Sequence, residues 1–190
     1  MKIGLFFGSF NPVHSGHMII AGYMAEYADL NQVWLIVSPH NPLKLKDSLL
    51  QDYHRMSLVK IAIGDHRKLK ASDIEFKLPR PSYTINTLAY LHEKYPEHQF
   101  ALILGTDNLE SFTKWKNYEQ ILEQVELYVY PRKNSEGGEL KNHPKVKIIN
   151  APTMELSSSF IREAIKNKKD VRYMLPEKVW EYIEEMNFYK

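Results

Sequence analysis

Gly8-Ser9-Phe10-Asn11-Pro12-Val13-His14-Ser15-Gly16-His17 is the stretch from which the rest of the chain is read. Residues 3–7 before it form an apolar run of the length of one buried strand. Residues 18–27 after it are apolar-rich and free of Pro, the pattern of a helix. The quoted stretch therefore joins the C-terminal end of a strand to a helix's first turn. It carries His14 and His17 three residues apart, a spacing that sets both on one face of that turn. The unpaired N–H groups of a helix start and the positive end of its dipole point the same way, which favours an anion. Gly8 and Gly16 allow a ligand close to the backbone. A His-x-x-His pair without the Glu of the zincin pattern, in a chain with no Cys, is poor evidence for zinc. Phosphate binding is the better reading.

Further apolar runs follow at residues 33–37, 100–104, 126–130 and 146–149, each of strand length. An alternating segment at 72–76 predicts one more strand, nearer the sheet edge. Between them, residues 51–64 and 85–95 have helical patterning, the first ending at Gly64, with Ser82 or Thr84 as candidate cap of the second. Apolar strands alternating with helices predict a doubly wound, Rossmann-like, mostly parallel sheet with helices on both faces. In such a sheet the ligand lies beyond the strands' C-terminal ends, where strand order reverses. The loops after Gly8 and after Gly105 are the two expected to flank that crevice. Gly105-Thr106-Asp107 is also readable as a tight turn with Asp107 as helix cap. Phe112, Trp115 and Tyr118 have the spacing of core residues. Residues 134–142, with Gly137-Gly138 and mixed charges, read as a flexible loop. Ser157-Ser158-Ser159 ahead of Phe160 makes a second helix start, with Arg162 one turn inside. Pro176 opens a short closing amphipathic helix.

At 190 residues the chain is long enough for one domain, taken as 1–190, with a sizeable core. A net charge of +2 and the lack of a basic stripe give no reason to expect nucleic acid or a membrane surface as partner. No apolar run approaches the roughly 18 residues of a membrane span, and no signal-peptide pattern opens the chain. The absence of Cys excludes disulfides and thiolate chemistry. A soluble cytoplasmic protein is expected.

The opening stretch resembles the G-(T/S)-F-(D/N)-P-x-H-x-G-H signature of nicotinate and nicotinamide mononucleotide adenylyltransferases, bacterial type, within the (T/H)-x-G-H nucleotidyltransferases. Ser9 and Asn11 stand where the common bacterial form has Thr and Asp. Leu156-Ser157-Ser158-Ser159-Phe160-Ile161-Arg162 is similar to the group's second motif, I-S-S-T-x-I-R. The landmarks between fit in order: an Asn-Pro element at 41–44, Pro81-Ser82-Tyr83-Thr84, Gly105-x-Asp107-x-Leu109, Trp115, and the closing Leu175-Pro176-Glu177-Lys178-Val179.

The resemblance implies transfer of AMP from ATP to nicotinate mononucleotide, giving nicotinate adenine dinucleotide and pyrophosphate by direct attack. It implies that His14 and His17 contact the ATP phosphates, His17 stabilising the α-phosphate. Gly8, Ser9 and Phe10 belong to the same nucleotide loop. Ser157, Ser158 and Arg162 hold the β- and γ-phosphates, and Gly105 and Asp107 meet the adenosine ribose. Trp115 stacks on the pyridine ring, Thr84 meets the nicotinate carboxylate, Lys44 reaches the mononucleotide phosphate, and Arg132 is a further phosphate ligand. Mg²⁺ is expected through the ATP phosphates, with no protein metal site. The neighbouring readings are a pantetheine-phosphate or nicotinamide mononucleotide adenylyltransferase, and, in another class, a non-catalytic nucleotide-binding module.

Overall fold

The five strongest apolar runs become strands because each can bury both faces in a sheet covered on both sides. The structure is a computed structural model, and it describes residues 1–39 and 49–190. Among these residues the strands are β1 (Lys2–Gly8), β2 (Gln32–Val37), β3 (Leu69–Ser72), β4 (Gln99–Gly105), β5 (Glu126–Tyr130) and β6 (Val146–Ile148). The helices are α1 (Ser15–Tyr27), α2 (Asp52–Ile63), α3 (Thr84–Lys94), α4 (Thr106–Glu110), α5 (Tyr118–Gln124), α6 (Ser158–Lys166) and α7 (Glu177–Glu185).

The sheet runs in the order β3-β2-β1-β4-β5-β6, and every neighbouring pair is parallel. The chain works outward from β1 to β3, returns across the sheet, and continues from β4 to β6. Because such crossovers are right-handed, the reversal sends α3, α4 and α5 to the other face, and α6 and α7 return to the first. On one face Ile20 and Met24 of α1, Leu58 and Val59 of α2, Ile161 and Ile165 of α6, and Val179 and Ile183 of α7 form one core. On the other, Leu88 and Leu91 of α3, Leu109 of α4, and Ile121 and Leu122 of α5 form the second. Ile161/Ile165 and Val179/Ile183 are (i, i+4) pairs, so each short helix buries one stripe, worth about 1.5–3 kcal/mol per side chain. No helix among the described residues is long and apolar enough to cross a membrane.

Three local expectations are corrected. The edge strand is Leu69–Ser72, and Ile74–Lys77 is a 3₁₀ turn rather than part of a strand. That turn buries Ile74 and Glu75 in different surroundings, the core and a cleft, which mimics strand alternation in the sequence. The N-cap of α3 is Tyr83, without a side-chain cap, because the Ser82 hydroxyl donates to Glu75 at 3.5 Å instead. Residues 134–142 are tethered rather than loose. The Glu110 carboxylate accepts from the amides of Glu136 at 2.9 Å and Gly137 at 3.3 Å, and Glu139–Asn142 forms a 3₁₀ turn.

Candidate active site

Strand order reverses between β1 and β4, and their C-terminal ends, Gly8 and Gly105, open onto the same edge of the sheet. The loop leaving β1 is strained. Phe10 has φ +46°, a backbone region that costs a non-glycine residue on the order of 1 kcal/mol. Burial offsets that cost: the Phe10 ring is 1% exposed and meets Phe6 at 6.0 Å and His17 at 5.0 Å, edge-on. Phe10 is thus a core side chain, and only its backbone is left to meet a ligand. Gly8 lines the larger and Gly16 the smaller of the two cavities beside this loop, and each glycine has a second use. A Cβ on Gly8 would sit 2.9 Å from the Phe10 ring, and one on Gly16 would sit 3.1 Å from the His14 ring. Both make room for the protein's own rings.

His14 is the N-cap of α1 and His17 its third residue, and they cap each other. The His17 amide donates to His14 Nδ1 at 3.4 Å, and the His14 amide donates to His17 Nδ1 at 3.2 Å. The rings stack with centroids 3.7 Å apart. With both Nδ1 atoms accepting, the proton of each neutral ring belongs on Nε2. The neutral form is favoured at both. Burial and then the neighbouring Arg132 guanidinium hold His14 down to about 4. Burial, His14 and Arg132 hold His17 well below the usual histidine range. The pair therefore offers two fixed Nε2–H donors at neutral pH.

The second motif meets the first. Ser157 caps α6 by accepting from the Phe160 amide at 3.2 Å. The Ser158 hydroxyl donates to the Pro12 carbonyl at 2.9 Å, and Arg162 Nη1 donates to the Asn11 carbonyl at 2.8 Å. Residues 146 and 151 positions apart thus lock two turns into one wall. Two cavities flank it. The smaller, about 150 Å³, is lined by His14, His17, Tyr130, Arg132, Ser157 and Ser158 among others. The larger, about 770 Å³, lies in the range of ligand clefts and includes Ser9, Thr84, Trp115 and Arg162. Ser158 lines both.

Gly105 and Asp107 are not among the described residues that line either cavity; both lie beside Arg132, which lines the smaller. Gly105, not Asp107, is the N-cap of α4, and Asp107 Oδ1 lies 3.8 Å from Arg132 Nε. A Cβ on Gly105 would collide with the Arg132 stem at 2.7 Å. Trp115 leans on Phe112, with ring centroids 4.9 Å apart, and is only half-buried, so one face is left to the cleft. Lys44 and the rest of the 41–44 element lie outside the described residues.

Four residues carry more than the sequence reading gave them. Arg132 lines the smaller cavity together with both histidines and donates to the Met154 carbonyl at 3.4 Å. Arg55 is fully buried and spreads its guanidinium over the loops around the cleft. Nε donates to Leu50 O at 3.0 Å, Nη1 to Ser9 O at 2.5 Å and Ser38 O at 2.7 Å, and Nη2 to Asp52 Oδ1 at 2.6 Å. Its signal was position: three and four residues before Leu58 and Val59, it shares their buried face. Glu75, 3% exposed, accepts from Thr87 Oγ1 at 2.8 Å, and burial pushes its carboxyl up. Lys116 lies 4.5 Å over the Tyr83 ring at the cleft wall. Nothing in the local sequence marks these last two.

The cytidylyltransferase-like family model matches residues 5–164. A Flavobacterium psychrophilum protein named "Probable nicotinate-nucleotide adenylyltransferase" is 60% identical over 192 aligned positions, covering 100% of both chains. A Flavobacterium johnsoniae protein of the same name is 58% identical with the same coverage. Among solved structures, a Plasmodium falciparum nicotinic acid mononucleotide adenylyltransferase complexed with NaAD superposes with a TM-score of 0.83 at 22% identity. That match covers 99% of this chain and 97% of the other, and at that identity it speaks to the fold. With the sequence relatives spanning its whole length and the family model most of it, the chain belongs to the nicotinate-nucleotide adenylyltransferase family of cytidylyltransferase-like enzymes.

Proposed function

We propose that the chain transfers AMP from ATP to nicotinate mononucleotide, releasing pyrophosphate and forming nicotinate adenine dinucleotide, a step of NAD biosynthesis in the cytoplasm. The observation that carries this reading is the meeting of the two motifs through Ser158 and Arg162, with a cavity on either side. The smaller cavity and the Ser158–Arg162 wall beside it take the ATP phosphates, with the ribose toward Gly105 and Asp107; the rest of the larger cavity takes the mononucleotide. Relatives named for this activity support the choice of acceptor.

A mononucleotide phosphate oxygen attacks the α-phosphorus, a P–O bond forms there, and the bond to the departing pyrophosphate breaks. No protein nucleophile is needed. The difficulty is bringing two anions together and stabilising charge on the α-phosphoryl oxygens, which positioned donors do best. His17 Nε2–H donates to the α-phosphate and His14 supports it. Arg132 adds a fixed positive charge beside them. Ser157, Ser158 through its backbone amide, and Arg162 hold the β- and γ-phosphates. Asp107 and Gly105 meet the ribose. Trp115 stacks on the pyridine ring, and the uncapped start of α3 at Thr84 receives the carboxylate.

The donor set at this site is N–H and O–H groups, and no group of three or more His, Cys, Asp or Glu among the described residues could hold a metal ion. Such donors fit a triphosphate that carries its own Mg²⁺, held indirectly by Ser157, Ser158 and Arg162. Mg²⁺ carried in with the triphosphate would supply positive charge against the charge that develops on the leaving phosphates.

The test is to incubate the protein with ATP·Mg²⁺ and, separately, nicotinate mononucleotide, nicotinamide mononucleotide and pantetheine phosphate, then identify the product by mass. Nicotinate adenine dinucleotide as the main product is expected. No pyrophosphate with any acceptor would reject catalysis.

A further inference from the structure

The signature loop is held from behind by a residue far along the chain. After α7, Asn187 and Tyr189 adopt φ +53° and +66°, and the chain turns back toward the sheet. The Tyr189 hydroxyl then donates to Asn11 Oδ1 at 2.8 Å, across 178 residues. That oxygen also accepts the Leu50 amide at 3.1 Å, and the Asn11 side chain is 2% exposed. The Asn11 carbonyl is the one that Arg162 holds. Arg55 and Arg162 are near enough to act electrostatically on the Tyr189 phenol. Three elements therefore converge on residues 9–12: α2 through Arg55 on the Ser9 carbonyl, α6 through Arg162 and Ser158, and the post-α7 segment through Tyr189.

The segment is itself fastened. Phe188 meets the His54 ring at 4.6 Å and the Tyr182 ring at 5.9 Å, and α7 packs on α2. A left-handed backbone at a tyrosine is unfavourable by itself, so contacts must hold it there. Among the described residues, the one polar contact of its hydroxyl is to the loop leading into the histidine pair. None of residues 186–190 is among the described residues that line either cavity.

We propose that Tyr189 is a positioning residue for the adenylyl-transfer reaction: by clasping Asn11 it fixes the loop that places His14 and His17. This rests on the proposed function. The loop has no regular hydrogen-bond ladder of its own, so its geometry depends on such tethers. Without the hydroxyl the substrates still bind, but the histidine donors are less well aimed when charge develops on the α-phosphate.

Tyr189→Phe keeps the ring and removes the tether. Steady-state kinetics with each substrate varied should show kcat down by about threefold to tenfold, as for one lost hydrogen bond, with both KM values within about twofold. Hydrogen exchange at the amides of Ser9, Phe10 and Asn11 should speed up. Tyr182→Phe removes a hydroxyl at the same α2–α7 seam that touches His54 and not the loop. It should leave kcat and loop exchange unchanged, whatever it does to Tm. Tyr189→Phe with wild-type kcat overturns the proposal. If the wild-type chain makes no dinucleotide, the functional reading fails, and loop exchange alone decides: unchanged exchange in Tyr189→Phe then overturns the clasp.

Discussion

Arg55→Met asks whether the floor of the cleft depends on one buried cation. Methionine keeps most of the unbranched stem and removes the guanidinium. Four contacts go: the carbonyls of Leu50, Ser9 and Ser38 and the Asp52 carboxylate. Stranding one partner of a buried ion pair costs about 3–5 kcal/mol. Asp52 is not fully stranded, because its side chain is 24% exposed and Arg80 Nη2 remains 2.9 Å from its other oxygen. The carbonyls are worse placed, and each unmet buried acceptor costs about 1–3 kcal/mol before relaxation. These losses do not add, since one loop shift relieves several, so the net destabilisation is about 3–4 kcal/mol. At about 2–4 °C per kcal/mol for a chain of this size, Tm falls by roughly 10 °C. Arg55→Lys keeps a charge but cannot reproduce the planar fork, and it should recover less than half of that loss. The assay is urea and thermal unfolding of both variants, with kcat measured well below each Tm. Arg55→Met within about 1 kcal/mol of wild type would refute the reasoning.

Other consequences are as concrete. Because folded His14 sits near 4 and the unfolded residue near 6.5, the unfolded chain takes up protons first as pH falls; stability present above 6.5 is lost between 6.5 and 4. By pH 5 this amounts to about 2 kcal/mol of unfolding free energy from urea titrations, and a His14→Gln variant showing the same slope would contradict the assignment. His17→Ala should lower kcat by about two to three orders of magnitude, as for one lost oxyanion donor, and near-normal turnover would remove it from the chemistry. Trp115→Ala should raise the KM for the mononucleotide by about tenfold and leave that for ATP unchanged, from the loss of one aromatic stacking contact; equal effects on both would refute stacking.

The fold was legible because its signals are redundant. Five apolar runs, each of strand length, alternate with helical spacing, and the glycine-ended strands fall on either side of the reversal. The opening motif and Ser157-Ser158-Ser159 were legible as helix starts because capping is local chemistry. Their convergence was expected only through the resemblance; the contacts that join them could not be read from residues, because they rest on backbone carbonyls at Asn11 and Pro12 that any sequence supplies. The same holds for Arg55, whose partners are three carbonyls and one carboxylate, and for Tyr189, whose partner lies 178 residues away. The strand misplaced at 72–76 shows the reverse error: an alternation made by Ile74 in the core and Glu75 in the cleft reads as a pleat. Gly8 and Gly16, singled out for close approach of a ligand, each line a cavity and also leave room for the Phe10 and His14 rings, which the sequence did not show.

The central claim is that the histidine pair and the serine turn together grip the phosphates undergoing transfer. Soaking or co-crystallising the protein with nicotinate adenine dinucleotide tests it most directly. The bridging diphosphate should lie within hydrogen-bond reach of His17 Nε2, with the pyridine on Trp115 and the ribose near Asp107. A dinucleotide whose diphosphate sits beyond reach of both His14 and His17 would contradict it.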